Sequence, residues 1–210
     1  MAKIALALLA GGQARRMGGG DKGEISINGQ TIIASLIARF APFADYQCLN
    51  ANGDLSRFAH YNLDIIPDKL DGYQGPLAGI YSCLEHISQT RPDIDYLVSL
   101  PTDAPFVPPT LIDDLIAAKD KAPIISVQSH GRTHPVIGLW PIGLCAALHE
   151  ALIVRAMRKI DAVTGPLGCH YIAYDDEPDL FLNLNRPDDL NALQAQGIGE
   201  IDLAFLHKSE

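Results

Sequence analysis

A glycine-rich segment that directly follows an apolar run sets the first constraint on this chain. The run, residues 4–9 (IALALL), has the length of a buried strand and is too short for a membrane span. The next segment, residues 9–23 (LAGGQARRMGGGDKG), has six glycines in fifteen residues and three cations, Arg15, Arg16 and Lys22. Glycines let the backbone approach a ligand closely, and backbone N–H groups beside fixed cations bind anions. A strand ending in such a loop predicts a polyphosphate site.

Apolar runs alternate with helical patterns along the chain, which predicts an α/β fold with a mostly parallel sheet. A helix follows Thr31 and ends before Pro42, because the apolar residues between them share one helical face. The second half is less regular, and we expect a turn at Gly165-Pro166. The predicted strands are 4–9, 46–49, 63–66, 96–100, 124–127, 135–140, 170–174 and 181–182, and the further predicted helices are about 54–59, 77–87, 108–121, 143–160 and 188–194.

Candidate polar side chains follow the ends of several predicted strands. Asn50, Asp68 and Asp103 each come just after a strand, as the glycine-rich segment does. Ligands bind at the carboxyl ends of the strands in open α/β sheets, so we expect these residues to share one site. Asp103 lies between two prolines, and its hard carboxylate oxygens suit Mg²⁺.

Length, charge and cysteine content limit the function classes. The 210 residues favour one domain, and the net charge of -9 argues against a nucleic-acid partner. A signal peptide or membrane segment is not recognisable, so we expect a cytoplasmic protein that does not bind membranes. The four cysteines form no Cys-x-x-Cys pair and are expected to be reduced thiols, most of them buried.

The motifs resemble those of a known enzyme family. The pattern Leu-Ala-Gly-Gly-x3-Arg-Met-Gly-x3-Lys at 9–22 resembles the opening motif of nucleotidyltransferases that activate sugars and cofactors. Its fuller form is similar to that of the molybdenum cofactor guanylyltransferases, and the resemblance covers about residues 3–195. Four later stretches support it in order: 50–52 (NAN), 75–79 (GPLAG), 101–105 (PTDAP) and 183–188 (NLNRPD).

This resemblance implies an activity and a fold. The implied reaction transfers GMP from GTP to the phosphate of molybdenum-molybdopterin, which gives the guanine dinucleotide cofactor and pyrophosphate with the help of Mg²⁺. The implied fold is a single-domain, Rossmann-like three-layer fold of the nucleotide-diphospho-sugar transferase type over residues 1–195. Its nucleotide half covers about 1–105 and its acceptor half about 106–195, followed by a tail of unknown role at 196–210. Molybdoenzyme maturation proteins are further implied partners.

The same resemblance assigns roles to individual residues. Arg16, Lys22 and Asp103 are expected to be catalytic, and Asp103 to hold the metal, with a second ligand from Asn183 or Asn185. The nucleotide-binding residues are Leu9, Ala10, Gly11, Lys22, Asn50, Asp68 and Asp103, with Asn50 and Asp68 contacting the guanine, and the acceptor-binding residues are Gly79, Arg132, His134, Asn183 and Asn185.

Some alternatives remain open at this stage. The family usually has Thr where this chain has Arg186, a departure that can alter the acceptor pocket. A transferase that uses CTP or a sugar phosphate, or a non-catalytic nucleotide-binding maturation partner, is the alternative function. The basic cluster Arg155, Arg158 and Lys159 fits a solvated helix face or a contact with the pterin phosphate equally well.

Overall fold

A seven-stranded sheet forms the centre of the protein in the computed structural model, which describes residues 2–10, 22–70, 75–175 and 177–184. The sheet order is β5-β4-β1-β6-β8-β7-β9, and β2 and β3 form a separate hairpin. Only β8 among these strands is antiparallel to its neighbours in the sheet, so the prediction of a mostly parallel sheet is confirmed. The strands are β1 (Ile4–Leu9), β2 (Ser26–Ile27), β3 (Gln30–Thr31), β4 (Tyr46–Asn50), β5 (Asp64–Ile66), β6 (Tyr96–Pro101), β7 (Ile124–Ser129), β8 (Arg132–Pro141) and β9 (Cys169–Tyr174).

Helices cover both faces of the sheet. Alternate residues of β1 enter different apolar clusters, with Leu6 and Leu8 packed on one face and Ala5 and Ala7 on the other. This alternation explains why β1 is buried on both sides, and the predicted three-layer α/β fold is confirmed. The α-helices are α1 (Ile32–Phe40), α2 (Pro76–Thr90), α3 (Leu111–Ala117), α4 (Cys145–His149) and α5 (Ile160–Leu167), with 3₁₀ turns at Lys22–Glu24, Ala41–Phe43, Leu55–Tyr61 and Ile142–Leu144.

Local sequence signals explain where the first helices begin. Thr31 caps α1, because its side-chain oxygen accepts a hydrogen bond from Ala34 N at 3.2 Å. The helix ends at Phe40, two residues before Pro42. Gly75, with φ of 83°, leads into α2, and Pro76 occupies its first turn, where a missing N–H costs nothing.

The second half differs from the prediction at several points. The helical region predicted over 143–160 is found only in part: the turn Ile142–Leu144, the short α4 and a π-helical turn, Glu150–Val154, cover its first part, and residues 155–159 are not helical. Arg158 Nη1 donates to Leu152 O at 2.7 Å and thereby satisfies a carbonyl where the helical ladder stops. Gly165 and Pro166 lie in the last turns of α5 rather than in a separate turn. Val163 and Thr164 of this helix are buried, and their packing outweighs the helix-breaking tendency of Gly165 and Pro166.

Two further predictions on boundaries are wrong, and others lie outside the described residues. The helix predicted at 108–121 shrinks to α3, and residues 181–182 form no strand, although Phe181 is buried. The helix predicted at 188–194 and the tail lie outside the described part of the chain. All four cysteines are free thiols, of which Cys48 and Cys83 are buried. No helix in the described part of the chain is both long and apolar enough to span a membrane.

The sheet order places a crevice at one edge. The chain continues from β1 to β4 and β5 on one side of β1, and then returns to place β6 on its other side. The loops after β1 and β6 therefore leave in different directions, which opens a crevice at their carboxyl ends.

Candidate active site

A cleft of about 500 Å³ lies at this crevice. Residues at or just after the carboxyl ends of β1, β4, β5 and β6 form one side of it, and residues from the first half of β8 together with Asn183 form another. The structure brings together eight of the predicted site residues as its lining: Leu9, Lys22, Asn50, Asp68, Asp103, Arg132, His134 and Asn183.

A lysine and an aspartate form an ion pair within the cleft. Lys22 Nζ lies 3.3 Å from Asp103 Oδ2, and the two side chains are only 18% and 23% exposed. Their partial burial reduces competition from water for the charges. The pair therefore places one cation and one carboxylate at the carboxyl end of β6, where anionic groups and a metal ion can bind side by side.

Gly23 fixes the position of the neighbouring Lys22. A Cβ atom on Gly23 would lie 2.6 Å from Ile33 Cγ1 and 3.0 Å from Thr102 Cβ, so only glycine fits here without a shift. The backbone beside Lys22 thus packs directly on α1 and on the loop after β6. This contact cannot be inferred from the sequence, because Gly23 is the last of six glycines in the segment 9–23.

The late segment around Asn183 is attached to Asp103 through the backbone. Leu184 N donates to Asp103 O at 2.7 Å, and Asn183 lines the cleft next to it. Among the residues that the structure describes, no group of three or more His, Cys, Asp or Glu side chains is arranged to hold a metal ion. One carboxylate with one amide oxygen nonetheless fits Mg²⁺, which keeps several waters and takes oxygens from substrate phosphates.

Two asparagines hold the carboxylate of Asp68 at the other end of the cleft. Asn50 Nδ2 donates to Asp68 Oδ1 and to Ile66 O, each at 2.9 Å. Asn52 Nδ2 donates to Asp68 Oδ2 at 2.9 Å, and Asn52 Oδ1 accepts from Asp68 N at 2.8 Å. Asn52 belongs to the motif 50–52 (NAN), but no role was predicted for it. Its spacing of two residues from Asn50, beyond the end of a strand, was the available signal.

Two predicted contact residues lie behind the cleft lining. Ala10 is buried, and its N–H donates to Asn50 O at 2.8 Å. Gly79 is buried in α2 directly against the Asn50 side chain, because a Cβ atom there would lie 2.9 Å from Asn50 Cγ. This contact places Gly79 directly beneath Asn50, one of the predicted nucleotide residues. Gly11, Arg16 and Asn185 lie outside the described residues.

The predicted acceptor residues Arg132 and His134 lie two positions apart on β8 and both line the cleft. His134 is 7% exposed, and its Nε2 lies 2.8 Å from Ser129 Oγ. Burial, together with the positive charge of Arg132, lowers the pKa of His134 below its ordinary value of 6.5. His134 is therefore neutral at pH 7 and offers a hydrogen bond rather than a positive charge.

The second basic cluster does not line the cleft. Arg158 donates to the carbonyls of Leu152 and Met157, and Arg155 and Lys159 are exposed. Cys145 and His149 lie on α4, where His149 Nδ1 hydrogen-bonds Tyr81 OH at 2.9 Å. The hydrogen bond to Tyr81 gives His149 a packing role at the contact of α4 with α2.

Sequence comparison shows close relatives of the chain. Residues 6–167 match the family model described as the MobA-like NTP transferase domain. A molybdenum cofactor guanylyltransferase of Rhodopseudomonas palustris strain HaA2 is 41% identical over 198 residues, which cover 93% of this chain and 92% of the relative. Another, from Rhodopseudomonas palustris strain BisB5, is 43% identical over 186 residues, covering 87% and 89%.

Solved structures share the fold. The molybdopterin-guanine dinucleotide biosynthesis protein A of Archaeoglobus fulgidus superposes with a TM-score of 0.72 at 24% identity, covering 94% of this chain and 97% of that one. A CMP:2-keto-3-deoxy-manno-octonic acid synthetase in complex with CTP gives 0.69 at 12% identity, covering 95% and 100%. Fold, family model and relatives agree with the resemblance of the motifs: the chain is a nucleotidyltransferase that belongs to the molybdenum cofactor guanylyltransferase family.

Proposed function

We propose that the protein transfers GMP from GTP to the phosphate of molybdenum-bound molybdopterin and releases pyrophosphate. The observation that supports the proposal is the cleft itself. The Lys22–Asp103 ion pair lies at one end of it, and the Asp68 carboxylate, held by Asn50 and Asn52, lies at the other. A nucleoside triphosphate needs such separate sites for its phosphates and its base. The names of the relatives supply the acceptor.

The acceptor attacks without a general base, since its phosphate oxygen is already negatively charged. A bond forms between that oxygen and the α-phosphorus of GTP, and the bond to the oxygen bridging the α- and β-phosphates breaks. Pyrophosphate leaves with the bridging oxygen. Catalysis then consists of positioning and charge stabilisation. Lys22 stabilises the charge on the leaving pyrophosphate, and Arg16, by the resemblance of the motif, adds a second positive charge.

The family generally uses a divalent metal ion, and we propose Mg²⁺ here. Asp103 and Asn183 would hold it, because these two residues combine a carboxylate with an amide oxygen on neighbouring backbone segments. The bound ion supplies positive charge to the phosphate oxygens. Asp103 in turn keeps Lys22 close to the same phosphates through their ion pair.

Asp68 is the residue that would recognise guanine. A carboxylate can accept from the N1–H and the exocyclic amine of guanine together, whereas adenine and cytosine do not present two neighbouring donors in that arrangement. The hydrogen bonds from Asn50 and Asn52 leave each Asp68 carboxylate oxygen with capacity for a further hydrogen bond. The backbone of Leu9, Ala10 and Gly11 and the Asn50 side chain would complete the nucleotide contacts.

The acceptor would contact the opposite wall of the cleft. Arg132 offers a positive charge and the neutral His134 a hydrogen bond to the pterin or its phosphate. Asn183 lines the same cleft, and Asn185 follows it two positions later in the sequence. This arrangement supports the division into a nucleotide half, about 1–105, and an acceptor half, about 106–195. Contact of Gly79 with the acceptor, contacts with molybdoenzyme maturation proteins and a cytoplasmic location stay predictions.

The proposal is tested by nucleotide binding followed by turnover. GTP with Mg²⁺ should raise the melting temperature more than CTP, UTP or ATP at equal concentration, and less without Mg²⁺. With molybdenum-molybdopterin as acceptor, Asp103→Asn should lower pyrophosphate release by about 10²-fold or more while the protein stays folded. A larger stabilisation by CTP than by GTP would contradict guanylyl transfer. Near-normal turnover of Asp103→Asn would remove Asp103 from the mechanism.

A further inference from the structure

Asn52 holds Asp68 by two hydrogen bonds of opposite direction. Its Nδ2 donates to Asp68 Oδ2 at 2.9 Å, and its Oδ1 accepts from Asp68 N at 2.8 Å. The backbone N–H of Asp68 can only donate, so the oxygen of the Asn52 amide must face it and the nitrogen must face the carboxylate. The two contacts therefore define one orientation of the Asn52 amide and one orientation of the Asp68 side chain.

This pair continues the strand pairing beyond the sheet. β4 and β5 are parallel neighbours, and Asn50 lies opposite Ile66 in their last register pair. The backbone ladder ends where Ala51 N donates to Ile66 O at 3.3 Å, and the next N–H that faces β4, that of Asp68, donates to the Asn52 side chain instead. Asn52 and Asp68 lie two residues further on each strand, and their hydrogen bonds join the two loops where backbone pairing has stopped. The position of Asp68 thus depends on Asn52.

The two asparagines have different places relative to the cleft. Asn50 and Asp68 line the cleft, whereas Asn52 does not. Asn50 donates to Oδ1 of Asp68 and Asn52 to Oδ2, so each carboxylate oxygen has its own amide donor. Without Asn52 the carboxylate keeps the contact at Oδ1 and is free to rotate about it. A rotated carboxylate can meet one donor of a base but not two at once.

We propose that Asn52 is a positioning residue for guanine selectivity: it fixes the plane of the Asp68 carboxylate so that both oxygens face the two neighbouring donors of guanine. The inference rests on the proposed function, since it takes guanine as the base that Asp68 contacts. It predicts an effect on the choice of base and not on the chemistry at the phosphates, which lie at the Lys22–Asp103 end of the cleft.

The test compares GTP with ITP, because the hypoxanthine base of ITP keeps the N1–H of guanine and lacks its exocyclic amine. The full-length protein should bind GTP with Mg²⁺ about tenfold or more tightly than ITP, the effect of one hydrogen bond to a charged group. Asn52→Ala should reduce this GTP/ITP ratio at least about fivefold. It should raise the KM for GTP and leave kcat at saturating GTP within about threefold.

Two further variants separate this role from a merely structural one. Asn52→Asp keeps an acceptor for Asp68 N and replaces the donor by a second carboxylate, so it should also lose the GTP/ITP preference. Asn52→Ala in an Asp68→Ala background should have no further effect on the ratio, because the two residues act as one unit. Ser56→Ala is the matched control in the same segment, since the Ser56 hydroxyl bonds Asp54 at 2.6 Å, and it should leave the ratio unchanged.

The outcomes distinguish this inference from the proposed function. Equal weakening of GTP and ITP binding by Asn52→Ala, with the ratio unchanged, would overturn the positioning role while a preference of the unmodified protein for GTP over CTP would leave guanylyl transfer standing. If the unmodified protein does not prefer GTP over CTP, guanylyl transfer fails and this inference fails with it. A lowered ratio in Asn52→Ala and Asn52→Asp, absent in Ser56→Ala, supports the inference.

Discussion

Replacement of Gly79 by alanine tests how closely α2 packs against the Asn50 side chain, which lines the cleft beside Asp68. A methyl group at this position would lie 2.9 Å from Asn50 Cγ and closer still to Oδ1, so the Asn50 side chain would have to move. Asn50 has little room to do so, because it is 2% exposed and its Nδ2 donates to Ile66 O and Asp68 Oδ1. The substitution should therefore break contacts that orient Asp68.

The expected magnitude combines two opposing effects. Buried polar groups that lose their partners cost about 1–3 kcal/mol, and alanine in a helix interior is about 0.5–1 kcal/mol more favourable than glycine. With a cost near the middle of that range, the free energy of unfolding of Gly79→Ala should decrease by about 1 kcal/mol. Asp68 also loses one of its two amide donors, so GTP should bind about tenfold more weakly.

Urea unfolding and the GTP-induced shift in melting temperature measure the two effects. Gly143→Ala is the matched control, because Gly143 lies in the turn Ile142–Leu144 and a Cβ atom there meets no described atom within 4 Å apart from its chain neighbours. Its free energy of unfolding should change by less than about 0.5 kcal/mol. The predicted role of the close contact between Gly79 and Asn50 would be refuted if Gly79→Ala unfolded at the same urea concentration as Gly143→Ala and bound GTP like the unmodified protein.

Two other predictions concern the cations and His134. Lys22→Ala and Arg16→Ala should each weaken GTP binding or turnover about tenfold to a hundredfold, the effect of one lost charge-assisted contact. Arg15→Ala should have little effect, because the resemblance of the motif assigns the phosphate contact to Arg16 and not to its neighbour. Equal losses for Arg15→Ala and Arg16→Ala in steady-state kinetics would contradict this assignment. The pKa of His134 is lowered in the fold, so the unfolded chain binds the proton more readily and stability should fall as pH drops below 6.5. Urea unfolding of His134→Gln should show a smaller loss over that range, and an unchanged loss would contradict the prediction.

The sequence predicted the part of the fold in which local patterns and sheet geometry agree. The run 4–9 forms β1 as expected, and Asn50, Asp68 and Asp103 meet in one cleft because the carboxyl ends of β4, β5 and β6 share one edge of the sheet. The alternation of strands with helices was enough to derive this. It required no knowledge of side-chain contacts.

The missed features depend on contacts between segments far apart in the sequence. Gly79 is needed because α2 approaches the end of β4, and Gly23 because the Lys22–Glu24 turn approaches α1. Neither of these two contacts can be inferred from the spacing of residue types in the sequence. The apolar pattern of 143–160 also does not distinguish a regular α-helix from one with a π-helical turn. The wider turn keeps apolar residues buried although its hydrogen-bond pattern differs.

The reversed direction of β8 has a consequence for how this architecture can change its second substrate. Because β8 pairs antiparallel with β6, Arg132 and His134 near its beginning lie at the same edge of the sheet as Asp103 near the end of β6. They follow directly on a two-residue turn, His130–Gly131, that joins β7 to β8. Hairpins accept changes of length and sequence at their tips with little effect on the strands below. A wall of this kind can be replaced during evolution while the opposite wall, with Lys22 and Asp103, keeps its form.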